Sequence, residues 1–187
     1  GRIYATLGYN DRMNPRSPAP PRLGRGMIIL AWILALGLLT WLFNGYLERR
    51  HNPNQQVISR SAADGATEIV LKRNDYGHYV TSGEINGQPV RFMIDTGASD
   101  VAIPADIADR LGLERGRALR YQTANGVATG YLTRLDELAI GDLVVRNVRA
   151  SINPTYRSDD ILLGMSVLKR LEFTQRGDRL ILSPLPR

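Results

Sequence analysis

The stretch Phe92-Met93-Ile94-Asp95-Thr96-Gly97-Ala98-Ser99 places one carboxylate at the end of an apolar run. The run reads as a buried strand. A charge at its end is costly unless something solvates, pairs or uses it. The small residues that follow allow other backbone to come close. A carboxylate so placed can act as a general base toward water. Hydrolysis by that route also needs a general acid, which Asp95 alone does not supply. Taken alone, Asp95 reads equally as a turn residue at a strand end, because Asp and Gly are common in turns.

Other chemistries find little support. The 187 residues include no cysteine, which removes disulfides, thiolate nucleophiles and Cys-based zinc sites. The two histidines, His51 and His78, are too far apart in sequence for a His-rich metal site. His78 reads as a strand residue. Gly164-Met165-Ser166-Val167-Leu168 begins like a nucleophile elbow but lacks the closing glycine, so Ser166 reads as a helix start. No glycine-rich phosphate loop with a lysine is present. Arg176-Gly177-Asp178 reads as a hairpin turn. No metal and no cofactor is expected.

The net charge of +6 raises the question of nucleic acid. Residues 1–50 carry seven Arg against two acids, and residues 51–74 carry three basic residues against two acids. Residues 75–187 are balanced, with fourteen of each sign. The excess therefore lies around the first apolar segment and not on the globular part, and no nucleic-acid partner is expected.

The elements that must position Asp95 are short strands and turns. Thr67–Arg73 is a strand candidate. His78–Ile85 and Pro89–Asp95 flank Asn86-Gly87, a strong hairpin signal. Pro104–Leu113 reads as a short helix opened by proline. Ala118–Ala124 and Val127–Leu135 flank a second Asn-Gly pair, Asn125-Gly126. Two further strand pairs flank Gly141-Asp142 and Gly177-Asp178, and Met165–Leu171 is a short helical stretch. Residues 67–187 therefore read as a mostly-β domain with one or two short helices.

In that setting Asp95-Thr96-Gly97-Ala98 resembles the active-site loop of aspartic peptidases. Asp-Thr-Gly alone is a weak signal, and its context strengthens it. An Asn-Gly hairpin feeds the loop, and a second glycine hairpin follows some thirty residues later. Ile161-Leu162-Leu163-Gly164 then matches the element that packs under such a loop. The order resembles the retropepsin-like family over about residues 67–185, in particular its membrane-anchored bacterial members. The resemblance implies a single-lobe acid-protease β-barrel. It implies catalysis by Asp95, with Thr96, Gly97 and Ala98 forming the active-site loop and Thr96 locking two such loops together. It implies a flap at Ala124, Asn125, Gly126 and Val127, and a supporting loop at Leu162, Leu163 and Gly164. Pepsin-like enzymes carry two Asp-Thr/Ser-Gly loops in one chain. Here Asp64, Asp142, Asp159 and Asp160 all lack the pattern of apolar strand, Asp, Thr and Gly. The second carboxylate is then Asp95 of a second chain, and the enzyme a homodimer.

Upstream, Met27–Phe43 is an uncharged run with one Thr, extended by Asn44–Leu47 before Glu48-Arg49-Arg50. It reads as an uncleaved anchor in the lipid bilayer over residues 27–47, with Trp41 and Tyr46 suited to the interface. Residues 1–26, with Pro15, Pro18, Pro20 and Pro21, read as a disordered basic arm, and 48–66 as a polar linker. The arginines before the span favour a cytoplasmic N-terminus. The peptidase domain, 67–187, is then periplasmic or otherwise extracytoplasmic, on a single-pass protein of the inner (cell) membrane. Peptide or protein is the expected substrate. The alternative is a catalytically inactive domain of the same fold that binds a peptide or protein. A third reading is a structural domain in which Asp95 is incidental.

Overall fold

The structure, a computed structural model, describes residues 24–61, 67–123 and 126–185. Helix α1 covers Arg25–His51. After it come strands β1 (Ile58–Ser61), β2 (Thr67–Lys72), β3 (Val80–Ile85), β4 (Gln88–Ile94) and β5 (Val101–Pro104), then helix α2 (Ala105–Arg110). Strands β6 (Ala118–Thr123), β7 (Gly126–Ile140), β8 (Leu143–Asn153) and β9 (Ile161–Leu163) lead to helix α3 (Met165–Leu168). Strands β10 (Leu171–Arg176) and β11 (Arg179–Pro184) end the fold. This is the mostly-β class that the turn spacing predicts. The basic arm over 1–26 lies outside the described residues except for 24–26, as do residues 62–66 of the expected linker.

Helix α1 is apolar on every side, and it is long and apolar enough to cross a membrane. The Thr40 hydroxyl donates back to the Leu36 carbonyl at 2.8 Å. The last turn carries Arg49 and Arg50, cations suited to the negative end of the helix dipole, and ends at His51. Pro53 disfavours helical backbone at Asn52 and stops the helix there. The freed His51 carbonyl accepts a bond from the Asn74 side-chain amide at 2.9 Å. Two compact units divide within this helix, between Leu42 and Phe43.

The second unit is built on two sheets. A seven-stranded sheet has the order β3-β4-β9-β5-β8-β7-β6, and β3 also pairs with β7. That extra pairing, Glu84 with Ala139 and Ile85 with Leu138, closes the sheet on itself. Fully buried Phe92, Ile103, Leu135, Ile152, Ile161 and Leu163 fill the core. The other sheet, β1-β2-β11-β10, joins early strands to the last ones. The hairpins form at the glycine turns. Asn86 (φ 50°) and Gly87 (φ 75°) make the tight turn between β3 and β4, a conformation that favours Asn-Gly.

Within the segment read as a linker over 48–66, residues 52–61 pack on the domain. Asn52 and Asn54 are buried, and β1 pairs with β2 along its whole length. The Asn54 amide donates to the carbonyls of Lys72 (2.9 Å) and Val80 (2.6 Å), and its oxygen accepts the Lys72 N–H at 2.7 Å. The segment looks like a tether because it lacks apolar periodicity. Its Asn54 satisfies backbone groups at the ends of β2 and β3. His78 also departs from the strand reading. It precedes β3, and its N–H donates to Asn74 Oδ1 at 2.9 Å.

Closing the barrel constrains Gly83. A Cβ there would lie 2.4 Å from the Ala139 carbonyl oxygen and 2.7 Å from the Phe92 ring. Gly83→Ala should therefore destabilise the domain by about 1–3 kcal/mol, as overpacking at a rigid seam does. The measurement is the denaturant midpoint of the full chain, followed by tyrosine fluorescence. An unchanged midpoint would contradict the seam.

Candidate active site

Asp95 follows directly on β4, whose neighbour β9 runs parallel to it with Phe92 opposite Ile161, Met93 opposite Leu162 and Ile94 opposite Leu163. The ladder continues one step further, because the Asp95 N–H donates to the Leu163 carbonyl at 3.2 Å. The chain then turns. The Ala98 N–H donates to the Asp95 carbonyl at 3.2 Å, and the Gly97 N–H donates to Asp95 Oδ1 at 2.9 Å. That last bond fixes the carboxylate against its own loop and leaves Oδ2 without a bond to that amide.

The Leu162–Gly164 element lies against this loop. Gly164 is wedged beneath it: a Cβ there would stand 2.2 Å from the Asp100 carbonyl oxygen and 2.5 Å from that of Ala98. Helix α3 starts at this point. Its Met165 N–H donates to the Ala98 carbonyl (2.8 Å) and its Ser166 N–H to the Ser99 carbonyl (2.9 Å). The first amides of a helix have no partner within it, and here the Asp95 loop supplies the acceptors. Ser166 does not cap α3. Its buried hydroxyl donates to the Arg149 carbonyl (2.9 Å) and accepts the Val101 N–H (3.2 Å), which ties β8 and β5 to α3. A hydroxyl so engaged is not a nucleophile.

The second glycine hairpin is present as β6 and β7, with Thr123 opposite Gly126 and Gly126 at φ 108°. Val127 is exposed at its outer end. Ala124 and Asn125 lie outside the described residues. Strand β6 is last in the sheet order and pairs with β7, so no ladder joins this hairpin to the Asp95 loop.

Asp95 is half-buried, while Thr96 and Gly97 beside it are exposed. The other acids considered from sequence are placed elsewhere. Asp142 sits in the β7–β8 turn, with its N–H on Ser59 Oγ at 3.5 Å. The side chain of Asp159 is almost fully exposed. Asp160, which reads from sequence as a solvated turn residue, is buried between Arg91 Nε and His51 Nε2, the latter at 2.7 Å. Asp64 lies outside the described residues. Among the described residues, no three His or acidic side chains gather as a metal site would require.

Two further groups escaped the sequence reading. Burial holds the Tyr156 phenol above its ordinary pKa. A hydrogen bond with Ser158 opposes the rise, and the negative charges of Asp160 and Asp95 add to it. Tyr156 is thus a neutral O–H within electrostatic reach of Asp95. Arg91 is partly buried, and burial alone would lower its pKa. Its bonds to Asp160 and Glu48 outweigh that and leave it raised. In sequence Arg91 stands near Asp95 and Tyr156 near Ile161-Leu162-Leu163-Gly164, which does not separate either from its neighbours.

Residues 81–170 match the family described as gag-polyprotein putative aspartyl protease. A crystal structure of a retropepsin-like aspartic protease from Rickettsia conorii superposes with a TM-score of 0.55 at 32% identity, covering 69% of this chain and 96% of that one. An uncharacterised protein from a Sinorhizobium species is 35% identical over 122 residues, which is 63% of this chain and 52% of the relative. Another, from Rickettsia prowazekii, is 33% identical over 120 residues, 62% of this chain and 51% of the relative. The chain thus spans about half the length of the curated relatives it matches. The matched residues include the Asp95 loop, the β6–β7 hairpin and the Leu162–Gly164 element, and the chain belongs to the retropepsin-like family of aspartic proteases.

Proposed function

We propose that the chain is a membrane-anchored aspartic endopeptidase, active as a homodimer in which each protomer contributes one Asp95. The observation that carries this reading is the setting of Asp95. A half-buried carboxylate stands with Thr96 and Gly97 exposed beside it, while Asp160 is engaged by Arg91 and His51 and Asp159 is almost fully exposed. A two-fold axis between two such loops brings the carboxylates together.

Two carboxylates a few ångströms apart share one proton. The ionised one removes a proton from a water held between them, and the oxygen of that water attacks the scissile carbonyl carbon. The protonated one donates its proton to the carbonyl oxygen, giving a neutral tetrahedral diol. Collapse of the diol passes a proton to the amide nitrogen and breaks the C–N bond. No covalent acyl-enzyme forms. Leu162, Leu163 and Gly164 hold the loop from below. The hairpin tip at Ala124, Asn125, Gly126 and Val127 is the flap over the substrate, which is a peptide or an unfolded segment of protein.

Asp95→Asn should abolish cleavage of a peptide library by the full chain in detergent, with the far-UV spectrum unchanged. The substitution keeps the shape and removes the proton acceptor. Turnover within about tenfold of wild type would sink the assignment, because loss of a general base costs about 10²–10⁴-fold.

Residues 27–47 anchor the protein in the cell membrane, with residues 67–187 outside the cytoplasm. This rests on the apolar helix and on the arginines that precede it. A reporter fused after Arg187 that is active only when exported should be active. Activity of a cytoplasmic reporter alone would reverse the topology.

A further inference from the structure

Three charged side chains and a histidine meet where the last turn of α1 reaches the β domain. Glu48 and His51 lie three residues apart, on one face of the helix. Arg91 of β4 and Asp160, the residue before β9, face them. Arg91 Nη1 bonds Glu48 Oε1 at 2.8 Å, Arg91 Nε bonds Asp160 Oδ1, and His51 Nε2 bonds Asp160 Oδ2 at 2.7 Å. The order Glu48, Arg91, Asp160, His51 thus alternates acceptor and donor. Asp160 is the buried member, with 4% of its surface exposed, so its charge depends on both partners. The carboxylate can only accept, so His51 carries its proton on Nε2. Asn74 fixes the His51 carbonyl, and the Asp160 N–H is held by Ser158 Oγ at 3.0 Å.

The two domain residues lie on or directly before the two strands that carry the candidate active site. Arg91 stands four residues before Asp95 on β4, and Asp160 directly precedes Ile161-Leu162-Leu163 of β9. These are the strands whose parallel ladder ends in the bond from the Asp95 N–H to the Leu163 carbonyl. We propose that the Glu48–Arg91–Asp160–His51 cluster is a positioning element of the active site, through which the end of the anchor helix sets the register of β9 beneath the Asp95 loop. Asp160 and His51 are positioning residues that act through Leu163 and Gly164, and neither touches substrate. The anchor then does more than tether. Its last turn is part of the machinery that holds the catalytic loop, and a chain cut before Asn52 lacks both helix partners. The consequence for turnover rests on the peptidase reading, whereas the consequence for β9 does not.

Two variants of the full chain in detergent test this. His51→Leu removes the donor to Asp160, and His51→Gln retains an N–H that can reach it. Hydrogen exchange over residues 161–168 should quicken at least about fivefold in His51→Leu, with exchange over β7 and β8 unchanged, and should return toward wild type in His51→Gln. In peptide cleavage, kcat should fall about tenfold or more in His51→Leu with KM within about twofold, because misplacement of a catalytic group acts on the chemical step. His51→Gln should again recover. Exchange within twofold of wild type in His51→Leu, or identical behaviour of the two variants, would overturn the proposal. A wild-type chain that cleaves nothing would refute the peptidase reading instead, and exchange would still decide the positioning role.

Discussion

The backbone bond from the Asp95 amide to the Leu163 carbonyl couples two strands that are distant in sequence and parallel in space. A parallel pair cannot be closed by a hairpin, so the chain must leave β4, travel through β5 to β8, and return. That excursion builds most of the barrel. Its return leg delivers Gly164 to a place where no side chain fits, against the carbonyls of Ala98 and Asp100. The start of α3 then finds its acceptors on Ala98 and Ser99. The loop that carries Asp95 is held from one side by β9 and α3, while Thr96 and Gly97 stay exposed. A rigid loop with one open side can serve a site shared between two chains without being reshaped by the encounter.

The same two strands carry the charged cluster at the end of α1. A buried carboxylate such as Asp160 adds little net stability when paired and costs heavily when one partner is lost. Its value is specificity of arrangement. With Arg91 on β4, Asp160 just before β9 and His51 on the helix, this arrangement pairs the buried carboxylate on both sides, and a slip of β9 would leave it unpaired. Anchoring in the bilayer would also raise the local concentration of protomers, which favours a site completed by a second copy.

The fold was legible where local chemistry dictates it. Asn86-Gly87 and Gly141-Asp142 each mark a turn, and the apolar runs beside them became strands, as did those either side of the second Asn-Gly pair, where Thr123 stands opposite Gly126. Asp95 stood out because it ends an apolar run and precedes Thr-Gly. What escaped was long-range and polar. Asn54 bonds to residues 18 and 26 positions away, and Asp160 reaches His51 across 109. Nothing in the composition of 48–61 distinguishes an asparagine that caps buried backbone from one that is solvated. Asp159 and Asp160 are adjacent and chemically identical, yet one is almost fully exposed and the other buried. Only the position of Arg91 and the helix end separates them.

The central claim is that one active site takes Asp95 from each of two chains. Wild-type and Asp95→Asn chains, co-reconstituted in detergent at varying ratios and allowed to exchange partners, test it directly. A shared site makes total cleavage follow the square of the wild-type fraction, so equal amounts should leave about one quarter of the activity. A linear fall, to about one half at equal amounts, would show that each chain holds a complete site of its own and would contradict the account.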